Sequence, residues 1–208
     1  KKSEKFKHPF HKNRNSIMNL FYKLSLLMGL VVVLSNYLVQ YPVQYFGLNE
    51  ILTYGAFSYP ITFLITDLAN RAYGKKLARY IVLVGFFIGI FLTLIVSTNF
   101  DDIISIRIAI GSATAFVIAQ NLDVSIFDKL RNKVWYIAPI TSSFFGSIVD
   151  TFLFFSISFY GTSVPWLSLA VGDLVVKLLV AIIMLIPFRI FLNKIVNISQ
   201  LNLKKVNF

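Results

Sequence analysis

Apolar residues recur along this chain in stretches of about twenty, too long for the strands or amphipathic helices of a water-soluble core. They predict six membrane-spanning helices at residues 17–40, 51–70, 78–98, 103–123, 134–158 and 165–191. Pro42 and Pro165 fall at helix edges, where the N–H that proline lacks is not needed. The first stretch exceeds the apolar core of a signal peptide, and no small-residue cleavage site follows, so it is expected to stay in the mature protein. The expected organisation is a basic tail at 1–16, a transmembrane domain at 17–191 and a second tail at 192–208. The fold class is then an all-α polytopic membrane protein, a six-transmembrane-helix bundle.

Composition agrees. Hydrophobic residues make up 57% of the chain and charged residues 14%, against about 25% charge in globular proteins. Mean hydropathy is +0.73. An ordinary soluble enzyme is excluded.

The net charge of +11 would point to nucleic acid if it were spread over a soluble surface. Instead, basic residues gather in alternate connections. Lys1, Lys2, Lys5, Lys7, Lys12, Arg14 and Lys23 stand at the start, and Arg71, Lys75, Lys76 and Arg79 after the second span. Lys129, Arg131 and Lys133 follow the fourth span, and Arg189, Lys194, Lys204 and Lys205 close the chain. The connections at 41–50, 99–102 and 159–164 hold none. This is the positive-inside pattern of an even number of spans with both termini cytoplasmic. No nucleic-acid partner is needed to explain it. Cysteine is absent, and His8 and His11 both lie in the N-terminal tail, so no metal site and no cofactor are expected.

Charges inside the spans carry the chemistry. Each costs about 2.5–3.5 kcal/mol at the centre of a spanning helix, so pairing or a wet cavity must offset it. Asp150 and Asp173 fall roughly 12 Å below the outer surface and Lys177 one turn deeper, which predicts one shared polar layer. Asp173 and Lys177, spaced i,i+4, could simply neutralise each other, but Asp150 would then lack a partner. Arg107 is expected near Asp101 or Asp102. Asp67, Arg71, Gln120 and Asp123 form a second layer towards the cytoplasm, with Asp67 and Arg71 either an interfacial ion pair or part of a pathway. Asn36 and Gln40 in the first span are amides suited to a polar solute.

Pro60 interrupts the second span, and Phe57, Tyr59 and Phe63 beside it could stack a flat ring, though core packing would use them equally well. Pro139, Ser142 and Ser143 in the fifth span open the option of two inverted three-helix halves, an arrangement found in transporters. An aspartate-dyad intramembrane enzyme is the weaker reading, because Lys177 lies one turn from Asp173.

With these residues in view, the chain resembles the VUT family of bacterial inner-membrane queuosine-precursor transporters. The resemblance rests on the blocks Ser35 to Gln40, Thr53 to Pro60, Thr66 to Leu68 and Ala119 to Val124. It continues through Phe127, Leu130, Arg131, Trp135, Ala138 and Pro139, then Phe145 to Ser147, Asp150 and Thr151, and Asp173 with Lys177. Leu174 departs from the pattern, which has an aromatic after the aspartate. The resemblance implies a multi-pass carrier of the inner membrane, importing 7-cyano- or 7-aminomethyl-7-deazaguanine for queuosine synthesis in tRNA. For some members the cargo is queuine or its nucleoside. It implies no enzymatic activity.

A guanine-like edge offers an N–H and an amine side by side, which one carboxylate accepts. The expected substrate-binding residues are Asp150, Asp173, Lys177, Asn36, Gln40, Phe57, Tyr59 and Gln120, with Asp150 or Asp173 as the reading carboxylate. Asp67, Arg71, Arg107 and Asp123 are expected to line or gate the pathway. The alternative is a substrate-binding subunit of an ATPase-energised uptake complex for a similar heterocycle or vitamin. Expected partners are the deazapurine and the lipid bilayer, with a homodimer left open.

Overall fold

The structure is a computed structural model describing residues 11–96 and 98–192, with side chains described from Met18 onward. The tails expected at 1–16 and 192–208 lie outside the described residues except for 11–16 and Leu192. The elements are α1 (His11–Leu38), α2 (Gly55–Ser58), α3 (Pro60–Tyr73), α4 (Lys75–Val96), α5 (Ile103–Leu130), α6 (Ile137–Phe159) and α7 (Trp166–Ile183). A 3-10 turn at Leu48–Glu50 and one isolated antiparallel bridge, Pro42 to Thr53, complete the described secondary structure.

Among the described residues, five helical stretches are long and apolar enough to cross a bilayer: Met18–Leu38, Lys75–Val96, Ile103–Leu130, Ile137–Phe159 and Trp166–Leu192. The segment predicted as a span at 51–70 is built from α2 and α3 instead. Pro60 opens α3 as its first residue, where its missing N–H and fixed φ do no harm; the helical hydrogen bonding breaks there, although Tyr59 before it keeps helical dihedrals. At about 1.5 Å per residue, the 14 residues of α3 cover about 21 Å, and with the helical backbone of Gly55 to Tyr59 in front of them the segment comes close to a hydrocarbon core of about 30 Å. Pro139 behaves differently: it sits in the first turn of α6 and interrupts nothing. The matched helix breaks that would support inverted halves are therefore not repeated.

The inner end of α5 also differs from expectation, running to Leu130 and not stopping near Asp123. A carboxylate looks like the end of a span only if it faces outward, and Asp123 is fully buried. The last span runs on through Met184 to Leu192, with Met184 in helical dihedrals and Pro187 one turn on unable to donate to residue 183.

Large apolar side chains face outward, among them Leu27, Leu34, Phe87, Phe91, Ile118, Val175 and Ile182, while Ser35, Asn36, Thr62, Thr66, Ser112 and Ser142 are buried. Lipid is as apolar as these outer side chains, so association rests on close packing and interior hydrogen bonds. Gly85 and Gly89 let α4 lie directly on α1, with Met28 over the first and Val32 over the second, so the two helices run parallel. Along α5 and α6, Asp123 neighbours Gly146 while Gly111 neighbours Ser158, so that pair runs antiparallel.

The connection at 41–54 folds back as a short hairpin. Val43 N donates to Leu52 O at 2.9 Å and Tyr54 N to Tyr41 O at 3.1 Å, around a turn at Phe46 and Gly47 with φ of 58° and 70°. The hairpin rests on α7: Ser168 Oγ donates to Glu50 O at 2.9 Å, and the Ile51 carbonyl lies directly over Gly172. Gly172→Ala tests that contact. Alanine alone would favour the helix by about 1 kcal/mol, but its Cβ would overlap a backbone oxygen that no rotamer change can move. Overpacking of this kind costs about 1–3 kcal/mol. The expected result is a lower unfolding midpoint in detergent; an unchanged or raised midpoint would show that the hairpin yields freely.

Candidate functional site

The polar layer forms where α6 and α7 face each other beside the α2–α3 break. Asp173 lies seven residues past Trp166, the first residue of α7, and Asp150 lies nine before Phe159, the last of α6. Both acids therefore sit roughly 10–14 Å below that end of the bundle. Their side chains are buried, as is that of Lys177. Lys177 Nζ lies 2.9 Å from Asp150 Oδ2 and 2.6 Å from Asp173 Oδ2. It also donates to Thr151 Oγ1 at 3.2 Å. Thr151 Oγ1 in turn donates to Asp173 Oδ2 at 2.8 Å, and Tyr59 Oη donates to Asp150 Oδ1 at 2.6 Å. The ammonium stands 4.6 Å from the centre of the Tyr59 ring, within range of a cation–π contact.

The i,i+4 pair of α7 is thus real but incomplete as an account. Two carboxylates share one ammonium, leaving the cluster with a net formal charge of −1. Asp150 has both oxygens engaged, one by Tyr59 and one by Lys177. Asp173 meets its protein partners through Oδ2 alone, so among the described residues Oδ1 has none.

A small cleft opens beside this cluster, with room for about one water molecule. Tyr59, Asp150, Asp173 and Lys177 form its charged wall, and Ser35, Asn36, Ser112 and Phe154 are among those opposite. Asn36 is fixed from two sides: Ser112 Oγ donates to its Oδ1 at 2.6 Å, and its Nδ2 donates to Thr93 Oγ1 at 2.9 Å. The helix break contributes as well, because Gly55 and Tyr59 both line the cavity. The helix carbonyl that Pro60 leaves without a donor is tolerated at this depth only where protein or a cavity surrounds it.

Of the residues named from the sequence, Asp150, Asp173, Lys177, Asn36 and Tyr59 come together here. Gln40 does not line the cavity; its Nε2 donates to Asn36 O at 3.2 Å. Phe57 points away and is half exposed, and Phe154 supplies a ring at the cavity in its stead. Gln120 is buried in the other layer, accepting from Thr66 Oγ1 at 2.7 Å and donating to Thr62 Oγ1 at 2.9 Å. Sequence reasoning does not assign Thr93, Ser112 or Phe154 to the site. Small hydroxyls and phenylalanines serve helix packing just as well, so nothing in one sequence distinguishes them.

Two expected ion pairs are absent among the described residues. Arg107 does not meet Asp101 or Asp102. It donates to the carbonyls of Ile157, at 3.0 and 2.9 Å, and Tyr160, at 2.7 Å, capping the C-terminal end of α6 where carbonyls lack helical partners. Asp102 caps α5, accepting from Ile104 N at 3.0 Å and Ser105 N at 3.3 Å. Likewise Arg71 does not pair with Asp67. It binds the carbonyls of Arg131 and Trp135 and lies over the Phe127 ring at 5.2 Å. Asp67 accepts from Ser142 Oγ at 3.2 Å. The carboxyl groups of Asp67 and Asp123 lie next to each other.

Residues 53–192 match a family described as "Putative vitamin uptake transporter". The "Probable queuosine precursor transporter" of Haemophilus influenzae is 34% identical to this chain over 210 residues, covering 86% of this chain and 88% of its own. The "Queuosine precursor transporter" of Escherichia coli is 33% identical over 203 residues, covering 86% and 91%. A "Probable queuosine precursor transporter" of Bacillus subtilis is 28% identical over 198 residues, covering 81% and 86%. No solved structure matches significantly. The family match spans every element from α2 to the last helix, and the relatives extend the likeness over most of the chain: this protein belongs to the family described as "Putative vitamin uptake transporter".

Proposed function

We propose that the protein is a multi-pass carrier of the bacterial inner membrane that imports a queuosine precursor, a 7-deazaguanine such as the 7-cyano or 7-aminomethyl compound. The observation that carries the reading is the free Oδ1 of Asp173 at the wall of this cleft, beside an ammonium. Asp173 accepts the N–H and amine of the guanine-like edge, and Lys177 turns to the carbonyl oxygen. Asp150 holds Lys177 and Tyr59 in place, and Tyr59 and Phe154 flank the ring. The net negative charge of the cluster suits a ligand edge rich in donors.

The same reading makes α2 and α3 a sixth, interrupted crossing, with both termini cytoplasmic. Its supports are the basic residues gathered in alternate connections and the cavity that the break faces.

The test is uptake of tritiated 7-cyano-7-deazaguanine into liposomes holding only this protein. Time-dependent uptake, competed by 7-aminomethyl-7-deazaguanine and not by adenine, is the expected result. In detergent the same ligand at a hundred times its Kd should raise stability by about 2.7 kcal/mol. Absence of both uptake and thermal shift would end the deazapurine reading. Uptake that appeared only with an added ATPase would make the protein a capture subunit instead.

A further inference from the structure

Asp67 on α3 and Asp123 on α5 take no part in the cavity just described. They are buried at 2% and 0% exposure, with their carboxyl groups adjacent and Ser142 beside both. Ser142 Oγ donates to Asp67 at 3.2 Å. Neither oxygen of Asp123 has a hydrogen-bond partner, and neither acid takes part in a salt bridge among the described residues.

The surroundings offer few donors: among the described residues Arg71 Nε and Ser147 Oγ are buried without a hydrogen-bond partner, and neither bonds Asp67 or Asp123. Arg71, one turn along α3, is the cation that bears on Asp67, but two of its nitrogens are held by the carbonyls of Arg131 and Trp135. Gln120 on α5 is bonded to Thr62 and Thr66. From α6 come Ser142 and Ser143, uncharged. From α7 and the segment after it come Ala181, Met184, Leu185 and Phe188, which line a very small cleft beside Asp67. The nearby part of α4, Ala78, Ile81 and Val82, is apolar.

Two ionised carboxylates only accept hydrogen bonds. Buried side by side with no cation bonded to either, they repel and leave the lone pairs of their four oxygens largely unfilled. One hydrogen ion bound to the pair supplies the missing donor and removes one of the two charges. We propose that Asp67 and Asp123 form a proton-binding dyad that couples import to the proton gradient. This rests on the carrier reading above.

Geometry supplies the link to the cavity. Tyr59 bonds Asp150, and eight residues along each helix Asp67 bonds Ser142. Both bonds tie the α2–α3 segment to α6, about 12 Å apart. Loading a proton at one end therefore changes a bond on the seam whose other end holds the substrate cluster.

The experiment uses the full chain in liposomes, in sodium-free buffer, with tritiated 7-cyano-7-deazaguanine. An acid exterior should drive a transient accumulation several-fold above the equilibrium level, and adding unlabelled substrate to weakly buffered vesicles should make the medium more alkaline. Asp67→Asn and Asp123→Asn should lose the pH-driven overshoot yet still exchange labelled for unlabelled substrate. Exchange without any pH response or alkalinisation in the wild type would overturn the dyad and leave the carrier reading standing. So would an overshoot driven by a sodium gradient at equal pH, or one unchanged in Asp123→Asn. Absence of wild-type exchange would sink both readings together.

Discussion

Asp173→Asn should abolish uptake, lowering its initial rate at least about a hundred-fold, while the protein still inserts and elutes as a single species. Lys177 and Thr151 both donate to Asp173 Oδ2, so the new amide turns its oxygen to them and its N–H groups to the cavity. Donors then face the donors of the substrate edge. A site built to accept hydrogen bonds discriminates by about 10⁴–10⁵ against a ligand it cannot pair with, and inverting the acceptor has the same consequence from the protein side. The fold survives because Lys177 keeps its 2.9 Å bridge to Asp150 and the cluster becomes formally neutral. Initial-rate uptake, normalised to protein measured by fluorescence-detected chromatography, checks this. Wild-type transport by this variant would remove Asp173 from the site.

Lys177→Met should cost both transport and stability. It leaves Asp150 and Asp173 in one buried cluster with no cation among their described contacts. Removing one partner of a buried ion pair costs about 3–5 kcal/mol, because the remaining charge is uncompensated. Here two charges remain, and the Tyr59 ring also loses its ammonium. The midpoint in detergent should fall by several degrees. Adding Asp150→Asn to Lys177→Met should recover part of that loss, since one of the two carboxylates is gone, but should not recover uptake. This coupling is what a double-mutant cycle reads. A single variant that melted with the wild type would show that the charges are solvated and do not hold the cluster together.

The spacing of Asp173 and Lys177 makes their contact legible in the sequence, because side chains four apart on a helix are neighbours whatever surrounds them. The depth of Asp150 shows that it needs a partner, and Lys177 is that partner. The further reach of Asp150 to Tyr59 is not legible there. It joins residues 91 apart, and only the packing of the α2–α3 break against α6 brings them together. The aromatic assignment fails at Phe57 for a related reason. Phe57 and Tyr59, two apart in helical backbone, point to different sides, and the sequence does not say which side the cavity is on. Proximity along the chain assigns Arg107 to nearby acids, but the carbonyl ends of α6 are closer in space.

What the chain determines by itself is its solvent. Runs of apolar residues long enough to span hydrocarbon, with basic residues between alternate runs, specify membrane helices because those preferences depend on each segment's own transfer from water. The same holds for helix starts and stops at proline. Tertiary structure alone decided which buried polar groups meet: the shared ammonium, the free oxygen of Asp173 and the solitary pair of Asp67 and Asp123. A few tens of degrees of helix rotation would exchange those partners without altering any segment's hydrophobicity. That rotation is set by close packing at residues such as Gly85, Gly89 and Gly172.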